Sequence, residues 1–190
     1  MNRTRQTHKD WGSPLGLALV AGMLAMVGPA WASPPRGSEA PRITLTGTDN
    51  SKFDSAQFKG RTLVVVFGDL SQDKLAQACA DIDASLHDPR LPNDAAVPVL
   101  VVAHDPAPEA LAKAREVGHL PRLIVTDPGR AAFGAYQIMV VPTVVVVGPD
   151  GKVVYALPSF APNFREVLTE AVLLGAGKLW EGLRERVGQT

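Results

Sequence analysis

The chain has 190 residues, 46% of them apolar and 20% charged, a composition that fits one globular domain and excludes a disordered chain. Its 19 basic and 19 acidic residues cancel without forming long blocks, so the electrostatic footprint of a nucleic-acid binder is missing. A single cysteine, Cys79, excludes an intramolecular disulfide, and any thiol cycle would draw its second sulfur from another molecule.

The first 32 residues read as an export signal. Arg3, Arg5 and Lys9 precede an apolar stretch from Leu15 to Val27, and Ala30-Trp31-Ala32 supplies small residues around a cleavage point after Ala32. Gly16, Gly22, Gly28 and Pro29 interrupt the stretch, which is shorter than the roughly 20 residues a spanning helix needs. A periplasmic or secreted protein is expected, with membrane attachment only if the signal stays uncleaved. Residues 33–41, SPPRGSEAP, are polar and proline-rich and predict a flexible linker, with the folded domain occupying 42–190.

The clearest strand is Leu63 to Phe67, a continuous β-branched run of the kind buried on both faces of a sheet. Asp69 or Ser71 can cap the helix after it, whose apolar positions Leu75, Ala78, Cys79, Ile82 and Leu86 recur at three- and four-residue spacing. The pattern repeats. Val97 to Ala103 predicts a second strand, Asp105 and Pro106 open a helix with Ala110, Leu111, Ala114 and Val117 as its stripe, and Gly118 closes it. Leu123 to Val125 is a short strand, Ala131 to Tyr136 a helical turn, and Val144 to Val147 another buried strand. Pro149-Asp150-Gly151 turns the chain into Val153 to Tyr155 as a hairpin. A last helix, capped by Asn163 with Glu166 three residues on, continues through Val167, Leu168, Ala171 and Val172 towards Trp180. Strands alternating with helices, then a closing hairpin, predict an α/β fold with a mixed central sheet covered by helices on both faces.

Three segments carry a family resemblance. Tyr136 to Thr143 followed by VVVVGPDGKVVY, the strand Leu63 to Phe67 before a helix, and LPRLIVTDPGRAAFGAYQI together resemble the thioredoxin-like superfamily, in its redoxin branch of exported thiol-disulfide oxidoreductases and AhpC/TSA-like peroxiredoxin relatives. The resemblance spans about residues 43 to 175 and implies a three-layer sandwich. It also implies a cis peptide before Pro142, and a surface beside Val141, Pro142 and Thr143 where an extended peptide adds as a strand.

The same resemblance implies a first cysteine about five residues beyond Phe67 and a second three further on, positions that fall at Gln72 and Leu75. Sliding the register by one or two residues finds no cysteine between Gly68 and Lys74. Disulfide exchange needs an attacking thiolate and a resolving thiol, and glutamine and leucine supply neither. The peroxidase signature of the relatives, a threonine three residues before an exposed cysteine, is missing as well.

The remaining candidates divide by chemistry. Asp69, Ser71 and Gln72 sit at the carboxyl end of the first buried strand, where open α/β sheets place their sites, and join Val141, Pro142 and Thr143 as the expected binding groove. Cys79 lies about two turns into its helix and on its apolar stripe, an environment for a buried structural thiol. The alternative is a thiol oxidoreductase or peroxidase using Cys79 with an external resolving thiol. His87, His104 and His119 are irregularly spaced and lack the clustered partners of a metal site. The sequence therefore predicts no metal and no cofactor. It predicts a redox-inactive module of the cell envelope whose partner is a protein or an extended peptide.

Overall fold

The computed structural model describes residues 34–91, 99–104, 108–109, 111–112, 123–159 and 161–187, with the side chains of 178–187 outside the description. Seven strands form one sheet: β1 (Thr44–Gly47), β2 (Lys52–Asp54), β3 (Leu63–Gly68), β4 (Val99–Ala103), β5 (Leu123–Thr126), β6 (Thr143–Val147) and β7 (Val153–Pro158). Their order across the sheet is β2-β1-β5-β4-β3-β6-β7. Strands β3, β4 and β5 run parallel, while β6 and β7 on one side and β1 and β2 on the other run antiparallel to their neighbours. Helices α1 (Asp73–Leu86), α2 (Ala131–Ala135) and α3 (Phe164–Val187) complete the described elements, with a short 3₁₀ turn at Ser55–Phe58.

The centre of the sheet explains the valine runs. All six residues of β3 are buried, because a central parallel strand has a helical layer against each face. Alternation sends Val64 and Val66 into one core with α1 and α3, and Leu63, Val65 and Phe67 into a second core with α2. Each fully buried valine contributes about 1.5–3 kcal/mol of apolar transfer, so this strand anchors both layers. The mixed sheet with helices on both faces is thus the architecture the sequence predicts.

Several local expectations are corrected. Residues 34–41 are packed rather than a free linker: Pro34 is buried, Gly37 N–H donates to Val153 O at 2.7 Å, Val153 N–H to Ser38 O at 2.8 Å, and Ala40 N–H to Gly151 O at 2.9 Å. Backbone pairing of this kind needs no apolar side chains, and composition alone therefore missed it. The β1–β2 hairpin is a further element beyond those predicted. It is short and lies at the sheet edge, where Phe53 is the large side chain it buries, with Ile43 buried just before β1. Helix α1 is capped by neither Asp69 nor Ser71: Gln72 is its N-cap, and Asp69 instead closes the turn before it. Asn163 stands in the left-handed region at φ 57, not in the extended conformation of a capping-box residue. Residues 108–109 and 111–112 are helical, while Asp105, Pro106, Ala110, Ala114, Val117, Gly118 and His119 lie outside the described residues.

Candidate functional site

Strand register brings the site together. Phe67 pairs with Thr143 and Gly68 with Ala103, so the loop leaving β3, the end of β4 at His104 and the segment entering β6 share one end of the sheet. This is the carboxyl end of the parallel strands, where crevices form in open α/β sheets.

The first wall is the loop from Asp69 to Gln72. One oxygen of the Asp69 carboxylate accepts from Ser71 N–H at 2.9 Å and from Ser71 Oγ at 2.7 Å, and Gln72 N–H donates to Asp69 O at 3.1 Å. The bonds from the Ser71 hydroxyl and amide hold the Asp69 carboxyl below its ordinary range, with smaller help from the Gln72 side chain and nearby His104. Gln72 is exposed at the helix N-cap, and Leu75 is 1% exposed one turn on. Leu75 packs onto Gly68 so closely that a Cβ there would lie 2.6 Å from its Cδ1. A side chain at position 68 would therefore push Leu75 out of its present rotamer. The two positions that the family resemblance reserves for thiols are the helix N-cap and a sealed apolar contact, and neither holds sulfur.

Cys79 lies elsewhere. It is 3% exposed, among Val64, Val66, Leu75 and Ile82 in the α1/α3 core, and burial pushes its thiol up to about 12. Val141 packs against the other core, with Phe67, Phe133 and Val145. The central sheet separates them.

The second wall is the segment Ile138–Thr143. Ile138 is buried and donates its N–H to Phe133 O at 2.8 Å, which fixes the start of the loop on α2. Met139 is 77% exposed and Val140 45%, an unusual outward placement of two neighbouring large apolar side chains. The Val141–Pro142 peptide is cis. Pro142 is buried, its carbonyl accepting from Ser159 N–H at 2.9 Å, and the buried Thr143 hydroxyl donates to Val140 O at 2.7 Å.

A buried carboxylate outside the residues predicted from sequence supports this wall. Asp127, 1% exposed, accepts from Ala131 N–H at 2.9 Å on one oxygen, and from Ala132 and Phe133 N–H at 2.9 and 3.0 Å on the other. Its own N–H donates to Ala103 O at 2.9 Å. Asp127 thus ties the ends of β4 and β5 to the first turn of α2. The signal was present in Asp127-Pro-Gly-Arg before an alanine-rich turn, since aspartate is a preferred acceptor for a helix's first N–H groups. His104 sits beside it, exposed, its Nδ1 3.4 Å from Asp127 O and its ring 6.2 Å from the Phe133 ring. Among the described residues, no group of three or more His, Cys, Asp or Glu side chains could hold a metal ion, and no helix is long and apolar enough to cross a membrane.

A sequence profile of the AhpC/TSA family matches residues 36–156. The chain belongs to the AhpC/TSA family. Among solved structures it is similar to the thioredoxin domain of a thiol-disulfide oxidoreductase from Bacteroides vulgatus, with a TM-score of 0.60, 21% identity, and 74% of this chain and 99% of that one covered. A thiol-disulfide oxidoreductase from Bacteroides fragilis matches with a TM-score of 0.57 and 19% identity over 70% of this chain and 98% of that one. A secreted disulfide oxidoreductase from Mycobacterium tuberculosis, described as homologous to the DsbE of E. coli, gives a TM-score of 0.55 and 16% identity over 68% and 93%. No curated protein sequence matches the chain significantly. At these identities the likeness establishes the thioredoxin-like fold. This AhpC/TSA chain has one cysteine, Cys79, and no paired thiols at the end of β3.

Proposed function

We propose that this AhpC/TSA-family chain is an exported binding module that takes an extended polypeptide segment against the Met139–Thr143 loop without dithiol exchange. The observation that carries the reading is the division between the two walls: Gln72 and Leu75 stand where thiols would be needed, while Ile138–Thr143 keeps its cis bond and turns Met139 and Val140 outward. Thiol exchange runs through a thiolate and a mixed disulfide. Cys79, raised to about 12 and under the sheet, is poorly suited to that role. An extended segment, by contrast, needs only backbone groups and apolar contacts. Asp69, Ser71, Gln72, Val141, Pro142 and Thr143 frame the groove.

The export assignment rests on Arg3, Arg5 and Lys9 before the apolar stretch and on Ala30-Trp31-Ala32, and it agrees with the secreted description of the Mycobacterium tuberculosis relative. Periplasm or extracellular space is the expected site, with the domain held at the membrane only if the leader is retained.

The test uses the purified chain and reduced, S-carboxymethylated insulin B chain as a generic extended probe. Amide resonances of Val140, Val141 and Thr143 should shift on titration, and the chain should not accelerate dithiothreitol-driven insulin reduction. Catalytic turnover above background, or titration shifts confined to other parts of the fold, would reject the reading.

A further inference from the structure

Resting on the docking reading above, we propose that Met139 is an oxidative modification site, and that its conversion to the sulfoxide releases a bound segment from the cis-proline loop. Two sulfur atoms of the described residues are candidates for oxidation, and they stand in opposite environments. Cys79 is 3% exposed in the α1/α3 core, and Met139 is 77% exposed at the end of the sheet. Peroxide reacts with accessible sulfur, as thiolate or as thioether, so the two differ in reach before they differ in chemistry. The burial that raises the Cys79 thiol to about 12 also removes the thiolate on which its oxidation depends. The chain's other methionines, Met1, Met23 and Met26, all fall in the segment read as the export signal. A chain cleaved after Ala32 therefore carries one methionine, placed on the groove.

Met139 also stands where a change of polarity would be felt. Ile138 before it is anchored in the α2 core, Val140 after it is 45% exposed, and the cis Val141–Pro142 bond follows. The thioether is flexible and apolar, a side chain suited to covering varied partners. A hydroperoxide transfers one oxygen to the sulfur: the sulfur lone pair forms the S–O bond, the O–O bond breaks, and the hydroperoxide leaves as water or an alcohol. Sulfur is oxidised by two electrons and the peroxide is reduced by two. The product is a polar, chiral sulfoxide that loses its apolar contact with the segment, and an external methionine sulfoxide reductase can reverse the change.

The experiment treats the purified chain with hydrogen peroxide, maps oxidation by peptide mass spectrometry, and titrates S-carboxymethylated insulin B chain, which contains no methionine to confuse the readout. Met139 should gain one oxygen at a rate close to that of free methionine while Cys79 stays reduced. Binding of the probe should weaken about tenfold, the scale of losing one apolar side-chain contact. Met139→Leu, which cannot be oxidised, should show one affinity for the probe before and after peroxide, whatever that affinity is relative to wild type. Cys79 oxidising first, or undiminished binding by the sulfoxide form, overturns this inference alone. Failure of the untreated chain to bind the probe at all rejects the docking reading, and the inference falls with it.

Discussion

The two walls of the proposed groove solve opposite problems. From Gly68 to Leu75 the chain satisfies itself: the Asp69 carboxylate is occupied by Ser71, Gln72 caps α1 through its backbone, and Leu75 closes onto Gly68. From Ile138 to Thr143 the chain is held firmly at both ends, by Phe133 O and by the β3 and β7 ladders, yet presents Met139 and Val140 to solvent. Exposed apolar neighbours on a rigid loop cost solvation and contribute nothing to this domain's own core. The first wall therefore carries the features of a structural turn, and the second those of a contact surface. Thiols can be missing from one wall without disturbing the other, because different bonds build them.

The largest effect should come from giving the first wall its sulfur. With Gln72→Cys and Leu75→Cys together, the first thiol would occupy the N-cap of α1, where the helix terminus favours the thiolate, with the second one turn on. We expect insulin reduction by dithiothreitol to rise from background to a measurable catalytic rate. A folded, dithiol-containing variant that stays inactive would show that the walls are no longer aligned, and that the difference lies deeper than two side chains.

Weakening the second wall should come next in size. Asp127→Ala removes a buried acceptor from Ala131, Ala132 and Phe133 N–H groups and leaves them without it. Each orphaned buried donor costs about 1–3 kcal/mol, so the loss should be about 4 kcal/mol in urea unfolding. Hydrogen exchange should rise selectively at Phe133 and Ile138, since α2 carries the entry to the loop. Uniform acceleration across β3 and β4 instead would mean that Asp127 supports the whole fold and not this wall.

How much of this was legible in the sequence follows from which physics builds each part. The central strands and α1 announce themselves through period and burial, since Leu63–Phe67 and the Leu75, Ala78, Cys79, Ile82 stripe must face a core. Leu86, read as part of that stripe, is only half-buried, and Ser85 takes the buried position by donating its hydroxyl to Asp81 O at 2.8 Å. The packed segment 34–41 and the β1–β2 hairpin are held largely by backbone pairing, which leaves little trace in side-chain identity. Missing sulfur at Gln72 and Leu75 could be counted off from Phe67. The exposure of Met139 and Val140 could not, because IMVVP reads as a uniform apolar run until Ile138 turns in and Met139 and Val140 turn out.

The smallest effect probes the first wall by acid. The Asp69 carboxyl is held below its ordinary value of 3.8 by Ser71 first and by Gln72 and His104 to a lesser degree, so the ionised form is favoured in the folded chain. A group depressed on folding stabilises the native state above its unfolded pKa, and that contribution disappears as pH falls through the folded value. Asp69→Asn keeps an oxygen for Ser71 and removes only the charge. Wild type should therefore exceed the variant by less than about 1 kcal/mol near neutrality, a partly exposed carboxylate being well screened. The gap should close between about pH 4 and the lower folded-state pKa, as both forms become neutral. Urea unfolding of both chains from pH 3 to 7 measures it. A gap that widened as pH fell would mean that Asp69 is destabilised as an anion, with its turn held by the backbone bond from Gln72 alone.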